Sequence, residues 1–230
     1  MLAGPPSSTL YRKVVCVDLD DDSPPTDAAA ALRLIQHQRS ATARRLDPDA
    51  RLLYWPWGVA WLVGFGLFFL RFSPGDRALV PLPSWLPLTV LFVLLASAGA
   101  IQAVVSVRAY GQVTGESAQR GRWYGYAWAL GSVSVYAGLG RISEHLPHDL
   151  AALLWSATAV GLTGALHMAG GAVWLDQDLF RLGVWISVIN VIGAIAGPGW
   201  HPLVVAVAGG GGILVAGALA RRRQRQRQQP

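Results

Sequence analysis

The chain has 230 residues, 53% of them hydrophobic and only 14% charged, with a formal net charge of +6 and a mean hydropathy of +0.37. A single cysteine excludes an internal disulfide and a cysteine-built metal cluster within one chain. The basic residues, all arginine except Lys13, flank apolar runs instead of lining a groove with interleaved aromatics. That excludes a nucleic-acid surface and matches the orienting charges of a membrane protein.

In chain order, residues 1–25 read as a disordered acidic tail carrying Asp18, Asp20, Asp21 and Asp22. Carboxylates suit a hard divalent cation, but no glycine sits where an EF-hand loop needs one, and a solvated tail is the expectation. Cys16 lacks activating neighbours. No hydrophobic run followed by a small-residue cleavage site precedes residue 25, so the first span is expected to serve as its own insertion signal.

Residues 26–50 read as a cytoplasmic amphipathic helix. Thr26 and Asp27 open it, and Ala28, Ala31, Leu32, Ile35, Thr42 and Leu46 share one face, with Arg33, His37 and Arg44 opposite. Asp47-Pro48 ends it. Such a helix is expected on an anionic membrane surface or, because Arg39 interrupts the apolar face, docked on a protein.

The hydrophobic excess lies in 51–220. It falls into runs of about 20 residues, the length that crosses a hydrocarbon core of about 30 Å. Six transmembrane helices are expected, at about 54–72, 85–107, 123–140, 150–173, 180–197 and 202–220, which makes the fold class an all-α polytopic membrane protein. Pro56 is placed at the opening of the first, and Ala96, Gly99, Ala100 and Ala103 form a small-residue face on the second. The third, with Tyr124, Tyr126, Ser132, Ser134 and Tyr136, is the least hydrophobic. Trp55, Trp57, Trp85, Trp123, Trp174 and Trp200 fall at boundaries, as an aromatic belt requires. Residues 221–230 form a basic cytoplasmic tail. With six spans, sixteen of the nineteen basic residues fall on one side. This orients both termini to the cytoplasm, in the plasma membrane.

All thirteen acidic residues lie outside these spans, so a carboxylate proton or ion relay has no seat within them. His167, about 26 Å down the fourth span, is the candidate for a proton or hydrogen-bond relay; an interhelical or interfacial hydrogen bond is its plainer reading. Ser97, Ser132, Ser134, Ser187, Asn190 and the run Gly209, Gly210, Gly211 and Gly212 all fall near mid-depth. They form a candidate substrate-binding set for a small neutral or amphiphilic molecule; close helix packing with one hydrogen bond from Asn190 is the alternative. His145, His148 and His201 share the outer side in a spacing that matches no metal site. Ser132 or Ser134 paired with His167 or His201 would be a serine nucleophile with its base. Their depths disagree, and no enzyme, cofactor or metal is expected.

In plan the chain resembles the six-span permease subunits of ABC-type exporters. An amphipathic helix leads into the first span, both ends are cytoplasmic, and a cytoplasmic connector at 108–122, with Glu116, follows the second span. The resemblance implies that 28–46 and 108–122 contact a cytoplasmic ATPase or regulator. The stretch Arg51-Leu52-Leu53-Tyr54-Trp55-Pro56-Trp57-Gly58, with His167-Met168-Ala169-Gly170-Gly171 and the region up to Gly212, is similar to uncharacterised actinobacterial six-span membrane proteins sometimes labelled transporter. The expected function is therefore a transporter or permease-type subunit, or else a non-transporting accessory or regulatory subunit. Expected partners are the bilayer, the cytoplasmic protein and further copies of the chain, without nucleic acid.

Overall fold

The computed structural model describes residues 27–29, 31–35, 48–75, 78–111 and 114–228. The acidic tail 1–25, the greater part of the expected helix 26–50 and residues 229–230 lie outside them. Residues 28–29 and 31–35 are helical, with Ala31 N–H donating to the Asp27 carbonyl at 3.1 Å. This segment belongs to a unit of its own, Met1–Arg44; the second unit, Arg45–Pro230, holds the long helices.

Among the described residues all regular structure is helical. The helices of the second unit are α1 (Ala50–Arg71), α2 (Leu86–Tyr110), α3 (Glu116–Ser143), α4 (His148–Trp174), α5 (Gln177–Ala196) and a continuous α6. The last is α-helical over His201–Val204, π-helical over Val205–Gly210 and α-helical again over Gly211–Gln228. Five of them (α1, α2, α4, α5 and α6) are long and apolar enough to cross a membrane. The expected third span lies inside α3, a 28-residue helix whose glycines, tyrosines, serines and arginines keep it from meeting that measure.

Local chemistry sets the ends. The Asp49 carboxylate caps α1 by accepting from Arg51 N–H at 3.0 Å. The helix starts at Ala50, so Pro56 lies inside it and not at its opening, and the Leu52 carbonyl lacks its usual donor. Asp176 caps α5 by accepting from the N–H groups of Asp178 and Leu179 at 3.0 and 3.1 Å. Leu175, at φ 54°, turns the chain between α4 and α5 in two residues.

The helices pack in the order α2, α1, α6, α5, α4, α3. α2 and α3 stand at opposite ends of this order and do not pack along one another, although only 111–115 separates them. The core lies in the middle, where Ala60, Trp61 and Phe65 of α1 meet Val160, Leu182, Ile186, Val205, Ala206 and Ile213. Glycine allows the close approaches. A Cβ on Gly210 would lie 2.8 Å from the Gly58 carbonyl on α1, and one on Gly171 would lie 2.6 Å from the Phe180 backbone nitrogen.

α3 is held by a different chemistry. The Tyr124 hydroxyl donates to the Leu166 carbonyl, and Tyr124 and Trp128 meet Trp174 and His167 edge-on. Tyr136 stacks on Trp155, whose indole donates to Ser143 at 3.1 Å. These contacts follow α4 along its length, antiparallel. The far end of α6 returns to the start of α1, where the Gln224 side chain accepts from Ala50 N–H at 3.2 Å and donates to the Pro48 carbonyl at 2.8 Å.

Candidate functional site

The π segment of α6 and the polar groups around His201, one turn before it, are the least regular place among the described residues. The turn expected over 197–202 is shorter than that. Gly197, at φ 95°, ends α5, and His201 already begins α6. Its ring turns inward and is fully buried. Room for it exists because Gly193, one turn earlier on α5, has no side chain; a Cβ there would lie 2.9 Å from the ring.

Both ring nitrogens are engaged. Nε2 lies 3.1 Å from Asn190 Oδ1 and Nδ1 lies 3.2 Å from Ser156 Oγ on α4. Asn190 Nδ2 donates to the Ala157 carbonyl at 2.9 Å, which leaves Oδ1 as the acceptor facing His201. Nε2 must therefore carry the ring proton, and Nδ1 accepts from the Ser156 hydroxyl. The result is a directed, uncharged chain from Ser156 through His201 and Asn190 to the Ala157 carbonyl, joining α4, α5 and α6. The Ser156 hydroxyl has a single proton, for which the Leu153 carbonyl, also at 3.2 Å, competes with Nδ1. Of the three histidines read as sharing the outer side, His145 is exposed on the connector and His148 exposed at the first position of α4, while His201 is buried.

The glycine run is packed. Gly209 lies against Ile189 and Trp61, Gly210 against α1, and Gly212 under the Trp185 indole, whereas Gly211 meets nothing within 4 Å. The Trp185 indole donates to the Ala208 carbonyl at 3.0 Å. A π turn carries one residue more than an α turn, loosens the i to i−4 ladder, and is frequent at functional sites.

Of the residues read as one mid-depth set, Asn190 and Ser187 both face α4, whereas Gly209, Gly210 and Gly212 pack on α1 and on Ile189 and Trp185 of α5. Ser187 Oγ donates to the Gly183 carbonyl at 2.9 Å and lies against Gly164 of α4. Ser97 donates to the Val93 carbonyl of its own helix at 2.8 Å and is exposed on α2. Ser132 and Ser134 are on α3, half-buried and exposed respectively. His167 holds the Thr163 carbonyl of its own helix at 2.8 Å and packs against Trp128. Sequence reasoning missed Ser156. The available signal was Asn190 and Gly193, three residues apart on one face, leading into a turn that ends in histidine.

No family model, curated protein or solved structure matches the chain.

Proposed function

We propose that the chain crosses the membrane six times with both ends in the cytoplasm, and that it transports a small neutral or amphiphilic molecule, alone or as a permease-type subunit. Two contacts support six crossings. Gln224 at the end of α6 touches Pro48 and Ala50 at the start of α1, and ends that touch lie on one side, which requires an even number of crossings. α3 accompanies α4 from Tyr124 and Trp174 at one end to Ser143 and Trp155 at the other, and so covers the same depth. The arginine distribution supports the cytoplasm as that side.

The observation that carries transport is the π segment Val205–Gly210, which begins one turn after the buried His201 and its half-buried partners Ser156 and Asn190. Polar groups and irregular backbone inside a membrane protein are costly and mark substrate pathways. With Trp61, Trp185 and Ile189 packed on the glycines, this is a closed arrangement, and the π segment is the element that would open. A substrate-binding role for Ser97, Ser132 and Ser134 would then require α2 and α3 to move toward the centre.

A second reading, a non-transporting accessory or regulatory subunit, draws on the two outer helices. α2 and α3 each pack on one neighbour, and Ala96, Ala100 and Ala103 of the small-residue face are exposed, a surface suited to a partner helix. The deciding experiment is purification from the native membrane in mild detergent, followed by reconstitution into vesicles. Uptake of glycerol and urea would be followed by light scattering, and efflux of Nile red by fluorescence. Flux above that of empty vesicles, lost in Asn190→Ala while the variant still reconstitutes, is the expected result. A stoichiometric ATP-binding protein that co-purifies would identify a permease subunit. Absence of flux together with a stoichiometric partner that binds no nucleotide would establish the accessory role.

A further inference from the structure

The end of α6 carries its arginines in two functional groups. Arg221, Arg223 and Gln224 reach neighbouring segments. Arg221 lies 3.9 Å from Asp49, which also holds Arg51 at 2.9 Å. Arg223 lies 2.6 Å from Asp178, which also holds Arg181 at 3.6 Å. Each carboxylate is thus shared by one arginine of its own segment and one from α6, and each trio keeps a positive charge. Arg222 and Arg225 are exposed, three residues apart on α6, and make no ion pair among the described residues. Around the end of α6, the described ends of α1, α5 and α6 thus bring Arg51, Arg181, Arg221, Arg222, Arg223 and Arg225 near Asp49, Asp176 and Asp178.

Like charges three apart on a helix repel, and an anion between them removes the penalty. Guanidinium groups bind phosphate oxygens in pairs with matched geometry. The position selects the source of that phosphate. Arg222 and Arg225 follow Leu219 and Ala220, the last residues of an apolar run, by two to six residues, about 3 to 9 Å at helical rise. This is the headgroup layer. Because the helix continues unbroken to Gln228 and is fastened on both sides, the two guanidiniums stand at a fixed height instead of on a loose tail.

We propose that Arg222 and Arg225 form a binding site for the phosphate of an anionic phospholipid. The site rests on the ion pairs and exposure at this end of α6, and not on transport. The test uses the full-length protein in neutral detergent. Phosphatidylglycerol, phosphatidylcholine and inorganic phosphate are titrated separately, with lipid retention read by native mass spectrometry and stability by thermal unfolding. Phosphatidylglycerol is expected to be retained and to raise the unfolding temperature at lower concentration than phosphatidylcholine. R222Q/R225Q should weaken that preference about tenfold, with phosphatidylcholine binding unchanged, and R222K/R225K should restore most of it. Equal binding of the two lipids, or wild-type retention of phosphatidylglycerol by R222Q/R225Q, overturns the proposal. So does an equal effect of inorganic phosphate, which would make this a site for soluble anions.

Discussion

The two ends of α6 are both fastened to their neighbours, by opposite chemistries. At its start, His201 joins Ser156 and Asn190 through uncharged hydrogen bonds with the ring wholly buried. At its end, Arg221, Arg223 and Gln224 hold Asp49, Asp178 and the backbone of α1 at the surface. The buried set gains from the low dielectric and is expensive to leave half-made. Exposed ion pairs are worth little singly and weaken with salt. One fastening is therefore insensitive to ionic strength and the other adjusts to it, with the π segment between them.

The largest expected effect removes the connection between the two ends. Gly210→Val places its side chain against the backbone of Leu62 and Gly58. It should destabilise the protein by about 3 kcal/mol or more, read as loss of the folded species in a detergent-unfolding titration. Next is the buried fastening. His201→Ala leaves Asn190 Oδ1 without its donor and should cost about 2 kcal/mol. Combined with Asn190→Ala it should show a coupling of about 1 kcal/mol, unchanged between low and high salt. A coupling that disappears in salt would dissolve the contrast.

At the charged end, Asp49 offers a pH handle. Its hydrogen bond from Arg51 lowers its pKa below the ordinary value of 3.8. A lowered folded-state pKa stabilises the fold above the unfolded value and is lost as pH falls through the folded one. The unfolding temperature should therefore drop as pH goes below about 4, and Asp49→Asn should flatten that part of the profile. The smallest effect is expected from Arg223→Gln, a slight loss of stability at low salt that vanishes at high salt.

The helices were legible because a chain crossing lipid must bury its backbone hydrogen bonds in long apolar runs, and Trp, Gly, Pro and Arg mark where each run stops. The π segment was not, because the extra residue is accommodated by Gly58 and Trp61 of α1, far away in sequence. Depth arithmetic grouped Ser97, Ser132 and Ser134 with Asn190. Depth along the bundle says nothing of which way a side chain faces, and Ser97 and Ser134 face outward. The expected sixth span begins at residue 202 and leaves His201 outside it, whereas Gly197 reverses the chain tightly enough for His201 to begin α6.

The aromatic pegs between α3 and α4 carry a consequence for biosynthesis. Ribosomes make α3 first, and each group that anchors it (Trp155, the Leu166 carbonyl, His167 and Trp174) emerges only afterwards. In a six-crossing chain, a helix this polar leaves the translocation machinery before its stabilising neighbour exists. α3 and α4 should accordingly enter the bilayer as a pair, and a chain truncated before residue 155 should leave α3 outside it.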